Sequence, residues 1–429
     1  MSDRFVCEPL TQQQLDLAHH ALHCGTQPKV GVRRALEHIY GPAVTHGLHP
    51  YRRGSGGANR HFDATPEVPL RDKPEAVFDA PGMEDDFYSS PLAWSKRGGL
   101  LALATPDGVS FADPMHRAAA PRTYRTRNDT PSAIGWLGGR GTEYAVVGFQ
   151  SGRVLEFDHS RMAHGDSGVH LSDYAVTALA CSDELGAIAV GGADGTVAVL
   201  DSRAAKRVAW WTGHSSKVCG LAWSPDGNML ATGGNDDCLN LWDRRKATRW
   251  VGLGEHTAAV KALAWCPWDP NLLASGGGSR DRRLRFWDAS TGKQVGDPLD
   301  TQRQVTSIIW SPRSCGEILT THGFADGSSS SRSSALTLWQ YPKLGELRGW
   351  GRISSRVEDP ACWCDLSSPP RVRIQQAVAS PDGTRAAMVS AASERVYIWN
   401  LWTPAIGIES RRTEMDAVAD RMCSLYALR

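Results

Sequence analysis

The chain has 429 residues, 41% of them hydrophobic and 22% charged, with a formal net charge of +1. That balance argues against a protein that grips nucleic acid by bulk positive charge, and no run approaches the ~18 uncharged apolar residues of a membrane-spanning helix. The 43 glycines and 16 tryptophans imply many tight turns and many large packing rings, hence short strands rather than long helices.

Residues 1–72 are unlike the rest. They hold seven of the fourteen histidines and stretches such as YRRGSGGANRHF. The start, MSDRFVCEP, has no apolar core behind a basic opening, so no secretory leader is expected. Thr11 with Gln14 forms a capping pattern for a short helix through Leu15, Leu17 and Leu22. His19, His20, His23 and Cys24 read as a solvated helix face, because no second ligand cluster accompanies them. Glu75 to Asp79 (EAVFD) is strand-like.

A repeat then begins. Segments end in Trp-Asp or a relative of it at Asp113, Asp158, Asp201, Asp243, Asp288, Gln340 and Asn400, spaced 42–45 residues apart and then 52 and 60. A second marker runs in phase through Trp94, Trp136, Cys181, Trp223, Trp265, Trp310 and Ala379. Within the unit GHSSKVCGLAWSPDGNMLATGGNDDCLNLWD, short apolar runs alternate with turns at Ser224-Pro225-Asp226-Gly227 and Asn235-Asp236-Asp237. Three strands plus one leading to the next unit make a four-stranded blade. The expected fold is therefore all-β: a seven-bladed WD-repeat propeller with flexible N-terminal and C-terminal extensions. The last blade lacks a fourth strand, and Glu75 to Asp79 is expected to supply it and close the ring.

His214, Thr232, Asp236 and Trp242 resemble the hydrogen-bonded tetrad of WD-repeat blades, a scaffold role. Asp194 and Asp281 stand at the matching turn of neighbouring blades and His256 matches His214. Buried groups of this kind persist when hydrogen-bonded. After Thr403 the chain continues as a tail, where Thr413 could cap a helix presenting Met415, Val418, Met422 and Leu425. The ten scattered cysteines contain no C-x-x-C pair and fit an intracellular protein. Cys362-Trp363-Cys364 has the wrong spacing for a zinc site, so no metal or cofactor is expected. The organisation read is 1–72 extension, 73–402 propeller and 403–429 tail.

Several segments resemble the Fizzy and Fizzy-related activators of the anaphase-promoting complex. They are KPEAVFDAPGMEDDFYSSPLAWS from Lys73, GHSSKVCGLAWSPDGNMLATGGNDD from Gly213 and HTAAVKALAWCPWDPNLLASGGGSRD from His256. EDDFY, LRFWD and DTQRQV lean toward the Fizzy-related branch. The resemblance implies a non-catalytic substrate-recognition subunit of a ubiquitin ligase, in the nucleus and cytoplasm, with ligase subunits, degron-bearing substrates and pseudosubstrate inhibitors as partners, and neither nucleic acid nor membrane among them. Asp3-Arg4-Phe5-Val6 matches the start of the family's C-box without its Pro and final Arg, and Leu428-Arg429 resembles the family's Ile-Arg ending. Both would dock on the complex.

Carried over residue by residue, Asp86 and Glu394 would face the arginine of a destruction box (Arg-x-x-Leu) between blades 1 and 7. Asn235, Asp237, Ser279 and Arg373 would read a KEN box on the top face, Arg373 pairing with its glutamate. Arg373 is preferred to Arg356 for its distance from the following turn. Ala93 stands where the family has Asp, and Asp237 where Asn is common. A scaffold or substrate adaptor of another assembly is the competing class, and an enzyme is disfavoured by the absence of G-x-x-x-x-G-K-[ST], G-x-S-x-G and H-E-x-x-H.

Overall fold

The computed structural model describes residues 74–402, apart from 116–120, 127–128, 139–142, 162, 165–167, 205, 247, 313–315, 326–334, 342–344 and 347–372. The tail motifs Asp3, Arg4, Phe5, Val6, Leu428 and Arg429 lie outside these residues, as do Arg356, the 362–364 segment and both expected terminal helices.

The described strands assemble into seven antiparallel sheets of four or five strands. Blade 1 is Leu92–Trp94, Leu101–Thr105, Gly108–Ala112 and Arg122–Arg125, and blade 4 is Val218–Trp223, Met229–Gly234, Leu239–Asp243 and Thr248–Leu253. Blade 7 takes three strands from the C-terminal side and its outermost strand, Ala76–Asp79, from the N-terminal side. Ala76 lies opposite Ile398 and Asp79 opposite Arg395, so the ring closes where the sequence predicts. Closure is reinforced by Arg385, whose Nε and Nη2 donate to the Glu75 carboxylate at 2.7 and 3.1 Å.

The core is divided into seven layers, each between two neighbouring blades. In Leu101–Thr105, Leu101 and Leu103 pack with Val389 and Ile398 of blade 7, whereas Ala102 and Ala104 pack with Trp136 and Val147 of blade 2. Period-two alternation thus feeds two layers at once, and the strands read as continuous apolar runs.

Both sequence markers have a physical cause. The tryptophan of an innermost strand donates its indole N–H to a backbone carbonyl of the preceding blade: Trp136 to Ala93, Trp223 to Ala180, Trp265 to Ala222 and Trp310 to Ala264, at 2.9–3.3 Å. The terminal aspartate of the repeat closes a turn, its Oδ1 accepting from the backbone N–H two residues on at Asp113, Asp158, Asp201, Asp243 and Asp288. In the Ser-Pro-Asp-Gly turns, Gly227 and Gly383 both adopt φ of +66°, a conformation that strains residues with a Cβ.

The blade 4 tetrad forms. His214 Nδ1 meets Asp236 at 3.0 Å, His214 Nε2 meets the Thr232 hydroxyl at 2.7 Å, and Trp242 Nε1 donates to that hydroxyl at 2.9 Å. Blade 5 repeats it with His256, Asp281, Ser275 and Trp287, and adds buried Arg285 on Asp281. Asp194 instead caps its own turn through Thr196. In blade 6 the histidine comes from the strand itself: His322 shares the Thr320 hydroxyl with Trp339.

Candidate functional site: the top face of the ring

Because strands alternate in direction, the start of each innermost strand and the turn between the second and third strands share one face of the ring. Asn235 and Asp237 lie in that turn of blade 4, Ser279 in that of blade 5 and Glu394 in that of blade 7. Arg373 precedes the innermost strand of blade 7, Gln376–Ala379. The sequence-predicted residues therefore gather on one face, although they are far apart in the chain.

A repeated β-bulge shapes the mouth of the ring. Strand register slips near the start of the innermost strand in blades 2, 3, 4 and 5, which re-aims the bulged side chain. The residues within these slips are Ser132, Thr177, Cys219 and Lys261. Ser132 and Thr177 spend their hydroxyls on a carbonyl of the next blade, Val176 and Val218. In blade 5 the residue is Lys261, only 6% exposed. Its ammonium donates to the carbonyls of Ser89 at 2.8 Å and Gln375 at 2.9 Å. Burial pushes its pKa down to about 7, and the nearby Asp86 carboxylate opposes that shift.

Lys261 thus anchors the segment Ala80 to Ser90, which leads from the closing strand into blade 1. Phe87 is buried and lies 5.2 Å from the Lys261 ammonium. Gln375 Nε2 donates to the Glu84 carbonyl at 2.6 Å, and Ile134 N–H donates to Ser90. Tyr88 reaches blade 4, where its hydroxyl donates to Asn235 Oδ1 at 2.8 Å and its ring carries the Lys217 ammonium at 4.2 Å. Burial raises the Tyr88 pKa, so the phenol remains a donor.

The predicted residues differ in how far they are engaged. Asn235 is exposed but holds Tyr88. Asp237 sits at φ +63° and pairs with Arg280 at 3.6 Å, while Ser279 is exposed beside it. Arg373 is nearly buried, stacks 4.2 Å over the Phe324 ring and donates to Asp85 Oδ2 at 2.9 Å. Ala93 is buried between blades 1 and 2, and its carbonyl receives the Trp136 indole.

Asp86 lies within the lead-in segment, whereas Glu394 holds the segment's first residues. Asp86 Oδ1 accepts from Tyr88 N–H, and its backbone carbonyl accepts from Ser89. Glu394 takes φ +50°, is exposed, and accepts from Gly82 N–H at 3.1 Å, while its own carbonyl takes the Ala80 N–H. Asp79, which precedes Ala80 and lies opposite Arg395, is 85% exposed and pairs with Arg395 at 3.4 Å. Sequence reasoning passed over Asp79, Asp85, Tyr88 and Lys261. Lys261 has a visible signal: alignment of the repeats sets a lysine against Ser132, Thr177 and Cys219. Among the described residues, no group of three or more His, Cys, Asp or Glu is placed to hold a metal ion.

The family described as CDC20/Fizzy WD40 domain matches residues 78–399. The chain belongs to that family. It is 32% identical to the WD repeat-containing protein slp1 of Schizosaccharomyces pombe over 80% of this chain, and 31% identical to the B-type cell cycle switch protein ccs52A of Medicago truncatula over 81%. It is 33% identical, over 80% of its length, to an Arabidopsis thaliana protein named cell division cycle 20.5, cofactor of APC complex, of which 73% is covered. The chain spans 63% of slp1 and 66% of ccs52A. Among solved structures, a chain of the mitotic checkpoint complex superposes with a TM-score of 0.66 at 30% identity, covering 83% of this chain and 98% of that one.

Proposed function

We propose that this protein is a substrate-recognition and activator subunit of the anaphase-promoting complex, non-catalytic itself, that presents degron-bearing cell-cycle proteins for ubiquitination. The observation that carries the reading is the family match over 78–399, together with relatives named as cofactors of that complex. The top face supplies the recognition chemistry. An exposed Glu394, held in a left-handed conformation that costs a non-glycine residue ~1–2 kcal/mol, presents its carboxylate at the junction of blades 7 and 1. A carboxylate there suits the guanidinium of an Arg-x-x-Leu degron, with Asp86 as its carried-over partner and Asp79 as its spatial neighbour. Asn235, Asp237, Ser279 and Arg373 form the polar surface for a KEN box. Asp3-Arg4-Phe5-Val6 and Leu428-Arg429 are the docking motifs in this reading, two weak contacts that reinforce each other through tethering.

The test is affinity purification of the tagged full chain, followed by reconstituted ubiquitination of a substrate carrying both degrons. Recovery of the anaphase-promoting complex, lost on Arg4→Ala or on deletion of Leu428-Arg429, supports the reading. Recovery of a different assembly, with no stimulation of ubiquitination, overturns it.

A further inference from the structure

Arg373 is already occupied. Its Nη1 donates to Asp85 Oδ2 at 2.9 Å, and Asp85 belongs to the lead-in segment, 288 residues away in sequence. The two partners are unequal. The Arg373 side chain is 11% exposed and stacked on Phe324, whereas the Asp85 side chain is 51% exposed. Among the described residues, Arg373 Nε is buried with no hydrogen-bond partner, so the guanidinium has donor capacity that Asp85 leaves unused. The segment bearing Asp85 is held in place by its backbone: Gln375 takes the Glu84 carbonyl and Lys261 the Ser89 carbonyl. The Asp85 side chain can therefore leave the arginine without the segment leaving the ring.

We propose that Asp85 is a tethered competitor for Arg373, a specificity-determining carboxylate that a peptide glutamate must displace. This rests on the reading that Arg373 receives the glutamate of a KEN-type degron. An isolated guanidinium in a largely desolvated place would attract any acidic segment in reach. A built-in carboxylate neutralises it in the free protein and raises the threshold for occupancy. A peptide wins only by adding contacts that Asp85 lacks, such as those to Ser279 and to Asn235 and Asp237, two and three blades round the ring. The competitor is weak because it is half-exposed: ion pairs of that kind contribute less than ~1 kcal/mol, so its removal is worth about two- to fivefold in peptide affinity. The same segment also occupies Asn235 through Tyr88, so both ends of the surface are partnered before a ligand arrives.

The experiment measures binding of a fluorescent KEN peptide, and of the same peptide with its glutamate replaced by glutamine, to the full chain by anisotropy. Asp85→Asn and Asp85→Ala are each expected to tighten the KEN peptide about two- to fivefold and to leave the glutamine peptide unchanged. Arg373→Ala is expected to weaken the KEN peptide and to abolish the gain from Asp85→Asn. Arg373→Lys, which keeps the charge with fewer donors, gives an intermediate affinity in a protein whose melting temperature is unchanged. If Arg373→Ala weakens binding while neither Asp85 variant tightens it, Asp85 is not a competitor and the proposal is overturned. If Arg373→Ala binds the KEN peptide as wild type does, the glutamate goes elsewhere and the underlying reading fails with it.

Discussion

Removing one contact at the closing strand tests whether the ring is held shut by electrostatics or by strand pairing alone. Glu75→Gln takes away the carboxylate that accepts two hydrogen bonds from Arg385, at 2.7 and 3.1 Å. The Arg385 side chain is 16% exposed and that of Glu75 21%, which places the pair between surface and buried regimes. A hydrogen bond to a charged group contributes ~1.5–3 kcal/mol, while a fully exposed pair contributes ~0–1. Asp382 remains to receive Arg385 Nη1 at 3.0 Å, which softens the loss. The expected coupling between Glu75→Gln and Arg385→Met in a double-mutant cycle is therefore about 1–2 kcal/mol. The effect should be local. Hydrogen exchange of Val77 to Asp79 and of Arg395 to Ile398 should accelerate about five- to thirtyfold, with blades 3 and 4 unchanged. A coupling below ~0.3 kcal/mol, within the noise of additivity, or uniform acceleration around the ring, would refute the idea that this pair clasps the closing strand.

Other outcomes follow from the same structure. His322 is buried next to Arg303, and burial pushes its pKa down to about 3 from 6.5. The unfolded chain then binds the proton first, so stability should fall as pH drops from 6.5 toward 3 by up to ~1.4 kcal/mol per pH unit. His322→Gln should flatten the urea-denaturation slope between pH 6.5 and 5, and an unchanged slope would contradict it. Trp265→Phe removes the inter-blade bond to Ala222 and should cost ~1–2 kcal/mol in thermal or denaturant unfolding. Glu394→Gly relieves a left-handed conformation. It should leave stability unchanged or raised while weakening an Arg-x-x-Leu peptide about ten- to a hundredfold by calorimetry. Asp79→Ala and Asp86→Ala, compared with the same peptide, decide which carboxylate assists Glu394; a KEN peptide should be nearly indifferent to all three.

The architecture was legible in the sequence because each blade repeats the same local solutions. An aspartate ends the third strand by closing an Asx turn, and a tryptophan ties the next blade to the last. Both are needed every 40 or so residues, and both leave a mark in composition. Even ring closure was legible, since a last blade short of one strand requires another and EAVFD is the strand-like segment left over. The tetrad of His214, Thr232, Asp236 and Trp242 was legible for the same reason: its bonds stay within one repeat.

What the sequence left open lies where the chain crosses between repeats. Neither the pairing of Asp85 with Arg373 nor the capture of Asn235 by Tyr88 can be read from local pattern, because their partners are 288 and 147 residues apart. Asp194 shows the converse, a residue at the tetrad position that satisfies itself on Thr196. Asp79 and Asp86 are both acidic and lie seven residues apart, and motif matching favoured Asp86. Only strand pairing sets Asp79 against Arg395, beside Glu394. Sequence alone determined the repeat, the ring and the family. The tertiary structure decided which charges meet on its top face, because that depends on a segment leaving blade 7 and crossing the mouth, held by a lysine that a β-bulge turns inward.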